Sequence, residues 1–302
     1  MAGVANGGDC ECAEEGDLFI AKVDRQGKTV WSKTMGRKNA ETSAQSIIET
    51  GDGGILVIAF APGPENEDEN EQEKVKENGN RSWVIKFSPK GEIVWSQKYK
   101  DWYQGLVKSS NGGNIYAYST PYAGEFNADT SKLKVKLLKF DKDGTNPQEL
   151  YFELEDIKST NISLTPTEDG GFLMLGGMSA YGSKINDWEF VKLDKNLKVE
   201  WSQIIKPVLP SALGDIHQTA DKGYIMSLTT GNGFHFWILK LNAMGNLEWI
   251  RMFGDGSEEM QIRSIEPTKD GGCFLQVRRY FNSIVLIKID QHGNCIGPGC
   301  LL

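Results

Sequence analysis

Apolar residues fall in short runs along nearly the whole chain, and turns rich in Gly, Asp and Asn separate the runs. The stretch from Phe236 to Val277 shows the pattern most clearly. Phe236-Trp237-Ile238-Leu239-Lys240-Leu241 leads through the turn Asn242 to Gly245 into a second run that ends at Trp249. After a polar loop, Phe253 to Met260, a third run (Gln261 to Glu266) meets the turn Lys269-Asp270-Gly271-Gly272 and a fourth run, Cys273 to Val277. Runs of this length between such turns predict β-strands, and Asp-Gly and Gly-Gly supply the positive φ of tight hairpins. The stretch is therefore two hairpins, with strands termed c, d, a and b in chain order.

Imperfect copies recur. The a-b turn appears as Asp52-Gly53-Gly54, Asn111-Gly112-Gly113, Asp169-Gly170-Gly171, Asp221-Lys222-Gly223 and Asp270-Gly271-Gly272. The c-d turn appears at Asp24 to Gly27, Ser88 to Gly91, Asp141 to Gly144, Asp194 to Leu197, Asn242 to Gly245 and Asp290 to Gly293. A Trp stands four residues past that turn in Trp31, Trp95, Trp201 and Trp249, whereas the third copy has Gln148 there and the fourth has Leu197 in place of the turn Gly. A period of about fifty residues with four short strands per unit is the signature of propeller blades. The expected fold is an all-β propeller of four-stranded antiparallel blades, five by the count of a-b turns, with six as the alternative. Strand c is supplied at both ends of the chain (Leu18 to Asp24 and Ile284 to Asp290), so closure needs either one extra strand or pairing outside the ring, including an oligomer through an unpaired terminal strand.

The repeat runs without a linker, so the expected organisation is one propeller domain over 17–294 between Cys-bearing tails at 1–16, read as flexible, and 295–302. The segment 62–80 is dense in charge and reads as a solvated b-c loop, and Ala123 to Lys132 is a second insertion at the same place in its unit. The net charge of −8 and the lack of a clustered Lys/Arg patch argue against nucleic acid or an anionic membrane as the main partner. The longest apolar run, Ile55 to Ala61, is too short for membrane insertion, and the first residues do not read as a signal peptide.

The Ala21-Lys22-Val23-Asp24, Gly27, Trp31 pattern resembles the tryptophan-docking repeat of quinoprotein-like β-propellers. In that family the Trp packs against the next blade, and the fuller unit is similar to extracytoplasmic propeller repeats. Quinoprotein dehydrogenases have larger rings, an adjacent cysteine pair and a calcium-bound quinone. This chain has no Cys-Cys pair, so the resemblance implies architecture and not that activity.

A Lys stands at the same place before each c-d turn: Lys22, Lys86, Lys139, Lys192, Lys240 and Lys288. The expected role is structural, with the stem along apolar surface and the charge at the rim or over a docking Trp. The turn residues Asp24, Asp141, Asp194 and Asp290 are expected to bond their own backbone, and Asp141 to Gly144 lacks the further oxygen ligands of a calcium loop. Cys10, Cys12, Cys295 and Cys300 lie at the two ends and are candidates for disulfides, or less so for a zinc or iron-sulfur site, while Cys273 reads as a buried thiol. No cofactor is otherwise expected. Trp102 and Tyr103 in a d-a loop are candidate stacking groups, and Asp215 and His217 on an inner strand candidate ligand groups. Two function classes follow. The favoured one is a non-catalytic, extracytoplasmic or cell-surface module that binds a protein or glycan partner through its loop face. The alternative is a glycoside hydrolase or lyase using Asp215, Glu49 and Glu266 around a central channel.

Overall fold

The computed structural model describes residues 2–6, 18–35, 42–60, 82–119, 132–155, 161–177, 188–205, 211–230, 233–254, 256–279 and 283–297. The charged segment 62–80, most of the 123–132 insertion, and Cys10, Cys12 and Cys300 lie outside these residues. Every regular element among them is a strand, and the strands form antiparallel sheets in two compact units, Met1–Asp156 and Ile157–Leu302.

The first unit holds three sheets. One contains β1 (Ala2–Asn6), β2 (Leu18–Val23) and β3 (Thr29–Met35); the next, β4 (Ser43–Glu49), β5 (Ile55–Phe60), β6 (Ser82–Phe87) and β7 (Ile93–Tyr99). The third contains β8 (Tyr103–Lys108), β9 (Ile115–Ser119), β10 (Lys132–Phe140) and β11 (Gln148–Glu155). The second unit also holds three. These are β12 (Asn161–Pro166) to β15 (Val199–Ile205), with β13 at Phe172–Gly177 and β14 at Trp188–Leu193; then β16 (Ser211–Gln218), β17 (Tyr224–Thr230), β18 (Phe236–Leu241) and β19 (Leu247–Phe253). The last sheet contains β20 (Met260–Pro267), β21 (Cys273–Arg279), β22 (Ser283–Ile289) and β23 (Cys295–Ile296).

Each four-stranded sheet is an a-b-c-d unit in the predicted order. Six sheets stand among the described residues, one more than the a-b turns announce, because the first sheet is built without an a strand. Its inner neighbour is β1, paired in register from Ala2↔Lys22 to Asn6↔Leu18. The tail expected at 1–16 thus opens with a strand, and the doubled strand c resolves as β2 pairing with β1 and β22 with β21.

Strand b shows why its sequence is a continuous apolar run. In β5, Ile55, Val57 and Ala59 join Leu18 and Ile20 of the first sheet in one core cluster, while Leu56 and Ile58 join Tyr103, Ile115 and Phe140 of the third in another. A strand covered on both faces has no polar side to show. The second unit repeats the arrangement through two clusters that join its middle sheet to each neighbour.

The tryptophans link sheets within each unit. In four sheets the c-d register slips by one residue beside the repeated Lys, and the bulge sets Lys22 opposite Trp31, Lys86 opposite Trp95, Lys192 opposite Trp201 and Lys240 opposite Trp249. Such a bulge re-aims the side chain it carries. Trp31 Nε1 donates to Pro89 O at 3.1 Å, Trp95 Nε1 to Gly144 O at 3.1 Å and Trp249 Nε1 to Gln291 O at 2.9 Å, each acceptor lying in the c-d turn of the following sheet. The indole of Trp201 lies so close to Gly245 that a Cβ there would come within 2.4 Å of it. The third sheet, with Gln148 opposite Lys139, carries no bulge between its c and d strands.

Gly245 and Gly27 have nearly the same backbone, φ +78° and +81°, but a Cβ at Gly27 meets nothing within 4 Å. Gly27→Ala therefore costs only left-handed strain, about 1–2 kcal/mol. Gly245→Ala adds a clash with Trp201, and urea unfolding is expected to show it as the more damaging change by at least about 1 kcal/mol.

Candidate functional site

Four of the six repeated lysines, Lys86, Lys192, Lys240 and Lys288, end in a shared device. Lys86 is completely buried, and its Nζ donates to Thr50 Oγ1 at 2.6 Å, Asp52 Oδ1 at 2.8 Å and Phe87 O at 3.2 Å. Asp52 also accepts from Thr50 Oγ1 at 2.6 Å and from the Gly54 amide at 2.9 Å, so the c strand is pinned to the a-b turn. Lys192 meets Asp169 at 2.8 Å and Glu200 at 3.0 Å; Lys240 meets Asp221 at 2.8 Å and Glu248 at 3.2 Å; Lys288 meets Asp270 at 3.0 Å. The expected structural role holds, with a different partner. The ammonium turns inward to the turn aspartate, because a buried cation needs a counter-charge and acceptors more than it needs an aromatic face. The second turn glycine is dictated by the same contact: a Cβ on Gly54 would come within 2.2 Å of Phe87 O and 2.4 Å of Lys86 Nζ.

These contacts keep the turn carboxylates ionised. Burial works against the charge on Asp52, but hydrogen bonds from Lys86, Thr50 and Gly54 outweigh it and bring the carboxyl down to about 2. Asp270 is brought down to about 2 by Thr268, Lys288 and Gly272, and Asp169 and Asp221 are lowered in the same direction. The c-d turn residues serve their own loops, as expected: Asp24 Oδ1 accepts from the Gln26 and Lys28 amides, each at 2.9 Å. Asp141 accepts from Asp143, Thr145 and Asn146.

In the second unit two such turns and a docked Trp enclose an open cleft of ≈ 680 Å³. Asp221, Lys240, Glu248 and Trp249 line it from one sheet, and Lys269, Asp270, Gln291 and His292 from the next. The dock creates the cleft, since Trp249 draws the turn carrying Gln291 and His292 against its own sheet. Its walls offer carboxylate acceptors, ammonium and amide donors, and an imidazole. None of Lys269, Gln291 and His292 stands out in the sequence; only the dock rule, which sets the c-d turn of one sheet beside the Trp of the one before, brings them together.

The residues singled out from the sequence fare differently. Trp102 is 40% exposed, whereas Tyr103 is fully buried in the core against Tyr99, with ring centroids 5.6 Å apart. Tyr103 is therefore corrected from a stacking group to a core residue: it opens β8, where inward positions face the second sheet. Beside it Lys136 is held by Asp101 and by Glu149 at 3.2 Å, which keep it charged against burial, and Tyr151 donates to Glu149 at 2.7 Å. Burial pushes the Tyr99 hydroxyl up to about 12. Asp215 sits at a bulge of β16, and its Oδ2 accepts from the Ile265 amide of the neighbouring sheet at 3.2 Å. Its carboxylate is engaged between sheets. His217 is half-buried, two residues on along the same strand, and Glu266 is exposed on β20. Glu49 is exposed on β4 in the first unit.

Cys273 is a free, buried thiol that burial raises to about 12. Cys295 lies in β23 and is not free. Among the described residues no group of three or more His, Cys, Asp or Glu could hold a metal ion.

No family model and no curated protein matches the chain. Solved structures do. The chain is similar to prolyl oligopeptidase B from Galerina marginata, with 12% identity and a TM-score of 0.52, over 95% of this chain and 38% of that one. A protein of unknown function from Bacteroides caccae matches with 13% identity and a TM-score of 0.43, over 79% of this chain and 78% of that one. BamB from Moraxella catarrhalis, a β-propeller, matches with 13% identity and a TM-score of 0.43, over 87% and 67%. The likeness to prolyl oligopeptidase B supports a propeller-type all-β fold, of which this chain spans little more than a third of the longer protein.

Two measurements test the turn lock. Lys86→Met removes hydrogen bonds to charged and neutral acceptors and is expected to cost about 1.5–3 kcal/mol in denaturant unfolding. The lowered carboxyls fix the sign of the pH effect: Asp52 has a folded pKa of about 2 against an ordinary 3.8, so its stabilisation is complete above 3.8 and is lost as pH falls through about 2. The melting temperature is expected to hold from pH 7 to 5 and to fall below pH 4, with a shallower fall in Lys86→Met.

Proposed function

We propose that the chain is a binding module and that the cleft between the fifth and sixth sheets takes a hydroxyl-rich ligand of the glycan class. The observation that carries this reading is the composition of the cleft wall. Asp221, Glu248 and Asp270 accept hydrogen bonds, Lys269 and Gln291 donate them, and His292 does either, all around an opening of ≈ 680 Å³. A sugar hydroxyl both donates and accepts, so it satisfies such alternating partners better than an apolar side chain does. Asp221 and Asp270 are both shifted toward the ionised form, which suits them to accept hydrogen bonds from a hydroxyl.

The reading includes an extracytoplasmic or cell-surface setting, with Cys295 joined through a disulfide to another of the terminal cysteines. Intact mass of the alkylated protein with and without reductant tests that part. Disulfide-linked cysteines support it, and five alkylated thiols without reductant refute it.

A glycan array probed with the full chain tests the ligand class. A bound glycan is expected to lose about tenfold in affinity for Lys269→Ala and again for His292→Ala, one hydrogen bond each, with the melting temperature unchanged. An array with no binder, or one whose binder is indifferent to both changes, refutes the assignment of the cleft.

A further inference from the structure

Among the described residues, the sixth sheet is incomplete on its outer side. In the fifth sheet β19 covers β18 from Leu241↔Leu247 to Phe236↔Phe253, but β23 pairs with only the last two residues of β22, Lys288↔Ile296 and Ile289↔Cys295. The chain then leaves the strand conformation at Gly297, whose φ is +99°. Five residues, Ser283 to Ile287, are left without a d-strand neighbour among the described residues. Ile284 and Leu286 there are 63% and 67% exposed. The outer strands of the other sheets carry guarding charges, such as Lys33 in β3, Lys98 in β7, Glu200 in β15 and Glu248 and Arg251 in β19, whereas Ser283 to Ile287 carries none. An uncharged, apolar, open edge is a template for strand addition.

We propose that this edge is filled by a second copy of the chain, β22 pairing antiparallel with β22 about a two-fold axis at Val285. The edge is self-complementary in that register. Ile284 falls opposite the partner's Leu286 and Leu286 opposite the partner's Ile284, so both exposed apolar residues gain an apolar cross-strand neighbour on one face. Val285 meets its own counterpart on the axis, and Ser283 meets the partner's Ile287. A two-fold contact of this kind is closed and stops at the dimer. The short β23 leaves room for it, because a full d strand would occupy the same backbone donors and acceptors.

Sedimentation velocity of the full chain over a dilution series is the test. The expected result is a monomer–dimer equilibrium that shifts to monomer in Ile284→Lys/Leu286→Lys, which places like charges across both apolar pairs while the melting temperature stays that of the parent. Register is read independently by cysteine pairing. Under mild oxidation Ile284→Cys/Leu286→Cys is expected to give a covalent dimer beyond any seen for the parent, and Ile284→Cys alone is not. Three results would overturn the proposal: a monomer at every concentration, a dimer indifferent to the lysine pair, or a monomer that instead binds a synthetic peptide of residues 247–253 at this edge. The last would assign the slot to a foreign strand.

Discussion

A buried ammonium is the constraint on which the local structure turns. Placing Lys86 where no water reaches it would cost several kcal/mol if it were alone, so the position exists only because Asp52, Thr50 and the Phe87 carbonyl converge on it. That convergence explains several features at once. The a-b turn must bring a carboxylate and a hydroxyl two residues apart, as in Thr167 and Asp169, Thr219 and Asp221, and Thr268 and Asp270. It must also have a glycine where the c strand comes within contact of its backbone. The first sheet, with no a-b turn of its own, sends Lys22 to the Gly53 carbonyl of the next at 3.0 Å.

The tryptophan docks act at a larger scale. Lys22, Lys86, Lys192 and Lys240 each have a Trp directly across the strand pair, displaced by a bulge so that the indole leaves its own sheet and closes on the turn of the following one. Turn lock and dock thus share one cross-strand pair, and the lock holds the strand from which the dock reaches out. The cleft in the second unit is a by-product of this geometry: a docked Trp, the two locked a-b turns and the c-d turn carrying Gln291 and His292 line it.

Much of the fold was legible because it repeats. Turn glycines, strand lengths and the docking Trp are local signals, and several copies of each correct for one another. The cleft was not legible, because Lys269, Gln291 and His292 are ordinary turn residues whose meaning comes only from adjacency between sheets. Tyr103 shows the opposite failure: the run Asp101-Trp102-Tyr103 looks like an exposed aromatic loop, yet the strand starts at Tyr103 and the pleat sends that ring inward while Trp102 stays outside. The first sheet escaped the turn count because β1 carries no hairpin signal and finds β2 only in three dimensions. Lys86, Lys192, Lys240 and Lys288 have the structural role that their repeated place implies, but sequence spacing alone does not identify the turn carboxylate as the partner of the charge.

The hairpins stand on the turn locks, and amide hydrogen exchange reads them directly. The amides of Gly54, Gly171, Gly223 and Gly272 each donate to the aspartate of their own turn. If the locks hold the hairpins, these four amides are protected well beyond other turn amides at neutral pH, and their protection factors fall as pH drops below the ordinary carboxylate range. Protection no greater than that of an exposed loop at neutral pH would contradict the account, because the buried lysines would then lack the ordered counter-charge that their positions require.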